Sequence, residues 1–125
     1  MNEVSCPFCN QGDLHIVFQD AHAFAVYDAF PVNPGHMLVI SREHERDFFQ
    51  LSLEAQENMT WLLGRCREHL DTEFSPDGYN IGLNIGKSAG QTVMHAHLHI
   101  IPRYEGDVED PRGGVRGVIP DRRSY

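Results

Sequence analysis

The sequence predicts an α+β fold in which an antiparallel sheet of about five strands is covered by one long helix. Short apolar segments of strand length lie on both sides of one longer segment, whose apolar residues recur at helical spacing. The connections between the segments are short, and this favours antiparallel neighbours over parallel ones. A short helix is expected as well, just before the long one.

Three strands are predicted ahead of the helix. Each is an apolar run bounded by turn residues, and Pro31, Pro34 and Gly35 form the loop before the third. From Glu43 onward the period changes. The predicted strands cover residues 14–19, 22–28 and 36–41, and the short helical turn covers residues 44–50.

The long helix is predicted to begin after Ser52, a residue type that caps helix N-termini. Glu54 and Glu57 then suit the positive end of the helix dipole. Cys66 falls on the apolar face, so we expect a buried, inert thiol. That face consists of Ala55, Met59, Leu62, Leu63, Cys66 and Leu70.

Two further strands follow the helix, at residues 79–85 and 92–101, with a Gly-rich loop at 86–90 between them. Pro102 is expected to end the last strand. Residues 1–104 therefore form one predicted domain. Residues 105–125 are rich in Gly, Pro and Arg, and we expect a tail without regular structure, packed on the same domain or on a dimer mate.

The overall charge and hydropathy exclude several classes of function. The 125-residue chain has a formal net charge of −8, which disfavours non-specific nucleic-acid binding. No apolar run approaches the roughly 20 residues that span a membrane. The first seven residues lack the basic and apolar regions of a signal peptide, so a cytoplasmic protein is expected.

The Cys6-Pro7-Phe8-Cys9 segment fits either half of a metal site or a redox pair. A thioredoxin-like redox motif follows a strand within a βαβ unit, and no room for such a strand precedes Cys6. The metal interpretation is therefore favoured, and the redox alternative stays open.

Three histidines alternate along the last predicted strand, at His95, His97 and His99. Because side chains alternate faces along a strand, the three imidazoles would share one face while Ala96, Leu98 and Ile100 enter the core. A neutral imidazole is a good nucleophile toward phosphorus. The plainer alternative is a solvated polar face that happens to contain histidine.

The loop from Gly86 to Thr92 offers backbone N–H groups, hydroxyls and one cation, which are groups that cradle phosphate. This loop and the following residues, Gly90 to Arg103, contain the pattern His-φ-His-φ-His-φ-φ, where φ is apolar. The pattern resembles the signature of the histidine triad family. The segment from Pro34 to His44 resembles a second family motif, and the residues from Pro111 to Pro120 resemble the ending of bacterial members described as diadenosine tetraphosphate hydrolases.

The resemblance implies a role for each matching residue. His97 would attack an α-phosphate, with its Nδ1–H held by a backbone carbonyl. His36 and His99 would contact non-bridging oxygens, and His95 would complete the catalytic set. The nucleotide-binding residues implied are Asp28 at the ribose, Asn84 at the phosphate, and Gln91 and Thr92 on the leaving-group side.

The resemblance also implies a structural zinc site. Cys6, Cys9, His44 and His95 occupy the four positions that bind zinc in one branch of the family, and two thiolates with two imidazoles suit tetrahedral Zn²⁺. A bound zinc would occupy His95, which then could not donate a proton to the leaving group.

The implied function is cleavage of a phosphoanhydride at the α-phosphate of a dinucleoside polyphosphate through a nucleotidyl-histidine. Hydrolysis of a nucleoside phosphoramidate or aminoacyl adenylate by the same mechanism remains open, as does a non-catalytic nucleotide-binding module. The family association is a two-fold homodimer.

Overall fold

A computed structural model describes residues 6–125 and contains five strands and one long helix within them. The elements occur in the predicted order, with three strands before the helix and two after it. They are β1 (Ile16–Gln19), β2 (Ala23–Tyr27), β3 (Met37–Ser41), α1 (Leu53–Phe74), β4 (Gly78–Gly82) and β5 (His97–Arg103).

The five strands form one antiparallel sheet in the order β1-β2-β3-β5-β4. The predicted α+β class and the five-stranded antiparallel sheet are therefore confirmed. The histidine strand, β5, lies between β3 and β4, with Met37 opposite Ile100 and Leu38 opposite His99. This register brings His36, the residue before β3, close to the histidines of β5.

Helix α1 covers one face of the sheet. Ser52 caps it as predicted, because its hydroxyl oxygen accepts a hydrogen bond from the Ala55 N–H at 3.1 Å. The predicted face is buried at Ala55, Met59, Leu62, Cys66 and Leu70, while Leu63 is partly buried. Burial raises the pKa of the Cys66 thiol to about 12, which keeps this thiol protonated and unreactive, as expected.

The other face of the sheet is only partly covered. The segment that begins at Cys6 lies over β2 and β3, where it buries a second apolar cluster. This explains why β2 and β3 are apolar at successive positions rather than at alternate ones. The cluster contains Cys6, Phe8, Phe24, Val26, Leu38 and Ile40. His97 and His99 of β5 lie on this second face and are partly exposed. Leu98 and Ile100 lie on the opposite face and are buried against the helix.

The predicted strand at 92–101 is wrong at both ends. Residues 93–95 form a bend, so His95 precedes the strand and its direction is not set by strand alternation. At the other end β5 continues through Pro102 to Arg103. Pairing between β3 and β5 stops at Ile100. Proline is therefore tolerated at position 102, because no strand on the β3 side needs a hydrogen bond from the N–H that proline lacks. The carbonyl of Pro102 accepts a hydrogen bond from the Asn33 side chain at 3.0 Å.

Smaller differences concern the other predicted boundaries. The expected helical turn at 44–50 is one 3₁₀ turn, Phe48–Gln50, and the strand expected at 79–85 is Gly78–Gly82. The tail contains 3₁₀ turns at Gly114–Val118 and Pro120–Arg122. Within residues 6–125, no helix has the length and apolar character needed to cross a membrane.

Candidate active site and metal centre

The ring of His97 is held in one tautomer by the backbone. Its Nδ1 lies 2.7 Å from the carbonyl oxygen of His95, and a carbonyl can only accept, so Nδ1 carries the proton. Nε2 of the neutral ring therefore has its lone pair on the other side, and His97 lines an open cleft. Burial lowers the pKa of His97, which favours the neutral, nucleophilic form.

His36 and His99 form a hydrogen-bonded pair with a defined direction. The backbone N–H of Val32 donates to His36 Nδ1 at 3.1 Å, so a neutral His36 carries its proton on Nε2. That Nε2 lies 2.9 Å from His99 Nδ1, which must then accept. His99 consequently carries its proton on Nε2. Burial, followed by the neighbouring His97 and His36, lowers the pKa of His99 to about 4.

This pairing engages the ring of His36 more fully than that of His99. The His36 ring is buried, and both of its nitrogens are engaged within the protein. Both nitrogens of His36 are thus paired within the protein, whereas His99 directs an N–H away from the pair. Asp28 adds a carboxylate oxygen 3.4 Å from His36 Nε2, and its second oxygen accepts from the Phe30 N–H at 2.9 Å.

The Gly-rich loop is braced by Gln91. The Gln91 side chain is buried, its oxygen accepts from the Gly86 N–H at 2.9 Å, and its nitrogen donates to the carbonyls of Arg46 and Val93. The loop turns where Gly86 and Gly90 have φ of +90° and +98°, conformations that favour glycine. Gln91 thus shapes the loop through its side chain, while the exposed Thr92 lines the cleft.

A cleft of about 570 Å³ collects most of the predicted residues. Asp28, His36, His97 and His99 line it, together with Asn84, Gln91 and Thr92. The rest of its wall is apolar, and a cleft with one apolar part and a few convergent polar groups is typical of a small-molecule site. The apolar wall includes Phe8, Leu14, Val26, Phe30, Leu38 and Val93.

His95 lies outside this cleft and belongs to a second cluster. Its Nδ1 is 3.3 Å from Cys6 Sγ, 3.6 Å from Cys9 Sγ and 3.2 Å from His44 Nδ1. Cys9 Sγ is in turn 3.1 Å from His44 Nδ1. All four ligand atoms lie within 4.8 Å of one another, so the structure brings together the predicted metal-binding set.

These distances match a tetrahedral metal site. Bonds of zinc to sulfur and nitrogen at their usual lengths place two nitrogens about 3.3 Å apart and a nitrogen and a sulfur about 3.6 Å apart. The His95 Nε2–H also donates to the Ser41 carbonyl at 2.6 Å, which directs Nδ1 toward the thiols. Such an outer hydrogen bond commonly orients a metal-binding histidine. The cluster therefore fits a metal with a closed set of four ligands.

The sequence patterns did not indicate two features of the structure, the position of Phe8 in the site and a network around Asp107 outside the cleft. Phe8 packs edge-on against His97 with ring centroids 4.9 Å apart and against His95 at 5.9 Å, so it separates the metal cluster from the cleft. Its position between the two cysteines was the available signal. Asp107 binds Arg103 through both carboxylate oxygens and also accepts from Asn33. No local sequence pattern predicts this network of Asn33, Arg103 and Asp107.

Comparison of the chain with known proteins identifies relatives in one family. The HIT domain model matches residues 10–106. A HIT-like protein of Methanocaldococcus jannaschii is 40% identical over 121 residues, which cover 93% of each chain. A Mycobacterium tuberculosis protein named AP-4-A phosphorylase is 34% identical over 94 residues, 74% of this chain and 48% of that protein.

A solved structure supports the same assignment. The crystal structure of a zinc-bound histidine triad family protein from Mycobacterium smegmatis is 33% identical and superposes with a TM-score of 0.77, covering 87% of this chain and 82% of that one. Its sheet and helix thus share one fold with those described here. With the domain match and the histidine motif, this similarity establishes that the chain belongs to the histidine triad (HIT) family.

Proposed function

We propose that this protein hydrolyses a dinucleoside polyphosphate at an α-phosphorus through a covalent nucleotidyl-His97. The observation that carries the proposal is the hydrogen bond from His97 Nδ1 to the His95 carbonyl, which leaves Nε2 as the nucleophilic atom at the cleft. The name of the mycobacterial relative, AP-4-A phosphorylase, supports the choice of substrate class.

The reaction proceeds in two balanced steps. His97 Nε2 attacks the α-phosphorus, the N–P bond forms, and the bond to the bridging oxygen breaks, so the remaining polyphosphate departs with the electron pair. The imidazole then carries a positive charge, which the carbonyl at Nδ1–H stabilises. In the second step water attacks phosphorus, the N–P bond breaks, and a mononucleotide and a proton are released.

The neighbouring groups position and stabilise the phosphate. His99 donates its Nε2–H to a non-bridging oxygen, and His36 acts through His99 by fixing its tautomer. Asp28 accepts from the ribose hydroxyls, and Asn84 and Thr92 contact the phosphate chain. Gln91 holds the loop that carries Thr92, rather than contacting the nucleotide through its amide.

The position of His95 favours an anhydride over a phosphoramidate. A departing phosphate is stable as an anion and needs no proton, whereas a departing amine must be protonated. His95, the candidate donor, directs its ring nitrogens to the Ser41 carbonyl and to the cysteine cluster, and it does not line the cleft. The site therefore suits a leaving group that departs without a proton.

The metal of the Cys6, Cys9, His44 and His95 cluster is proposed to be zinc. Two thiolates and two imidazoles are ligands that zinc prefers, and a site with four protein ligands is structural. When bound, zinc would stabilise the fold and polarise no substrate. These four residues would tie the N-terminal segment, with Phe8, to the bend before β5.

The test is a substrate panel with mass spectrometry of the rapidly quenched protein. Diadenosine tetraphosphate should give AMP and ATP, and a mass increment of one adenylate on the peptide that contains His97. An adduct from phosphoramidates alone would replace the proposed substrate with that class. No turnover and no adduct with any anhydride or phosphoramidate would leave a nucleotide-binding module.

We also propose that the protein is a homodimer. β1 and β4 are the outer strands of the sheet, and strand edges are natural pairing surfaces. Trp61 on α1 is 56% exposed, which supplies apolar area for a contact between two copies. Light scattering should give twice the chain mass, and a monomer at micromolar concentration would refute the dimer.

A further inference from the structure

A second cavity lies next to the catalytic cleft. It has a volume of about 300 Å³, within the size range of small-ligand sites. Val32, His36, Asn84 and His99 line both the cleft and this cavity. The two spaces therefore meet at the residues that face the phosphate, and a ligand held at His99 can extend into either one.

Away from its histidines and asparagines, the second cavity has an apolar wall and an apolar roof. Ile81 and Ile101 of the sheet form part of the wall, and Val115 and Val118 of the tail form the roof. Val115 is 65% exposed and Val118 is 77% exposed, so both side chains remain largely in contact with solvent. A flat, largely apolar group in the cavity would remove this surface from water, which stabilises binding.

The tail that forms the roof is fixed in place. Asp107 binds Arg103 at 2.8 Å through each carboxylate oxygen, and Asn33 donates to Asp107 at 2.7 Å. Further along, Arg116 donates to the carbonyls of Arg122 and Arg123. The roof is thus anchored at its base and braced within itself.

The tail also brings positive charge to an acidic protein. Residues 111–125 contain four arginines and one aspartate, a net side-chain charge of +3, whereas the whole chain has −8. A polyphosphate that runs toward the tail moves toward the most basic part of the chain, and this lowers the electrostatic cost of binding an anion.

We propose that the cavity roofed by Val115 and Val118 binds the nucleoside of the leaving group, so that the protein prefers a dinucleoside polyphosphate over a mononucleoside polyphosphate. This inference rests on the proposed function, since it assigns the second half of that substrate. The first nucleoside occupies the larger cleft, the α-phosphate lies between His97 and His99, and the phosphate chain passes Asn84 into the cavity. A free polyphosphate or an amine would leave the apolar roof uncovered.

The test compares two substrates that differ only in the second nucleoside, diadenosine tetraphosphate and adenosine 5′-tetraphosphate. The variant is the double substitution Val115→Ser/Val118→Ser in the full-length chain. It should lower kcat/KM for the dinucleotide about tenfold, the usual scale for lost apolar contacts in a specificity pocket. The value for adenosine 5′-tetraphosphate should stay within about twofold, because this substrate does not reach the roof.

Ile119→Ser is the matched control. Ile119 lies on the same tail and is 58% exposed, but it does not line the cavity, so neither substrate should respond. A chain shortened after Asp110 keeps the Asp107 anchor and removes the roof together with four arginines. It should lower kcat/KM for both substrates, and lower it about tenfold further for the dinucleotide.

Two results would overturn the inference while the proposed function survives. One is an equal fall, or no fall, for both substrates in the Val115→Ser/Val118→Ser variant. The other is a shift in oligomeric state on light scattering with an equal loss for both substrates, which would make the roof a contact between two copies of the chain. Failure of the proposed function is distinct, because the wild-type protein would then turn over neither substrate and form no adduct on His97.

Discussion

His95 and His97 are two residues apart, yet their rings take opposite orientations. His95 donates from Nε2 to the carbonyl of Ser41 and turns Nδ1 toward the two thiols. His97 donates from Nδ1 to the carbonyl of His95 and keeps Nε2 for the cleft. The residue type is the same in both places, and a main-chain carbonyl decides which nitrogen is available in each.

The difference teaches that the triad is not a set of three equivalent catalysts. The bend at residues 93–95 places His95 outside the strand and in the cysteine cluster, while His97 and His99 lie on one face of β5. His99 receives its tautomer by a third route, from the Val32 N–H through His36. The backbone therefore gives neighbouring imidazoles different available nitrogens, and the proposed division into metal binding, nucleophilic attack and phosphate contact depends on this difference.

The largest effect is expected at the nucleophile. His97→Ala should lower kcat/KM for diadenosine tetraphosphate by about 10⁴-fold or more, because no other imidazole at the cleft has an available nitrogen in line with phosphorus. His15→Ala, at an exposed histidine outside both clusters, is the control and should behave like the wild type. A His97→Ala protein with a tenth of wild-type activity would refute the assignment of the nucleophile.

The metal cluster should affect stability rather than supply the reacting group. Cys9→Ser should abolish stoichiometric zinc binding and lower the Tm by about 10 °C, because a ligand bound only to the folded chain stabilises it. Mass spectrometry under native conditions and calorimetry measure both effects. Cys66→Ala is matched, since Cys66 is buried in the helix core and should leave the metal content unchanged. Full zinc content in Cys9→Ser would contradict the four-ligand assignment.

Acid should lower the stability of the folded protein through His99. The folded pKa of His99 is about 4, below its usual 6.5, so the unfolded chain binds the proton first as pH falls. The contribution of neutral His99 to the free energy of unfolding is fully present above about pH 6.5. It is lost as the pH falls from about 6.5 to about 4. It should amount to about 2 kcal/mol of the free energy of unfolding, allowing for partial exposure.

Urea unfolding of the wild type and of His99→Gln across this pH range measures that loss. The wild type should show the steeper decrease, and His15→Gln should follow the wild type. Parallel curves for the wild type and His99→Gln would mean that acid acts elsewhere in the molecule.

The smallest effect concerns the origin of the His99 tautomer. Val32→Pro removes the N–H that donates to His36, whereas Val32→Ala shortens the same side chain and keeps that N–H. With adenosine 5′-tetraphosphate, kcat should be about tenfold lower for Val32→Pro than for Val32→Ala, the loss of roughly one positioned hydrogen bond. Equal values would show that His36 does not need this donor.

Much of the fold could be predicted because it depends on local periodicity. The helix from Ser52 and the strands of the sheet follow from apolar spacing and caps. The family resemblance also implied Cys6, Cys9, His44 and His95 as one set, which the structure places together. These features could be predicted because they depend on residues close together in sequence or on a motif that the family shares.

The remainder depends on contacts between distant segments. Pro102 predicts the end of a strand from its local sequence. It lies inside β5 because β3 no longer pairs with β5 beyond Ile100. Phe8 reaches His97 only because the N-terminal segment folds over the sheet, and Asp107 meets Asn33 across 74 residues. No window of sequence contains both partners of such contacts, so spacing alone could not reveal them.

The central claim is that backbone carbonyls give His95 and His97 opposite available nitrogens. An imidazole ¹⁵N–¹H correlation spectrum of the zinc-loaded protein near neutral pH tests it most directly, because it distinguishes the two neutral tautomers. We expect a proton on Nδ1 of His97 and on Nε2 of both His95 and His99. A proton on Nε2 of His97 would remove its nucleophilic nitrogen and contradict the account.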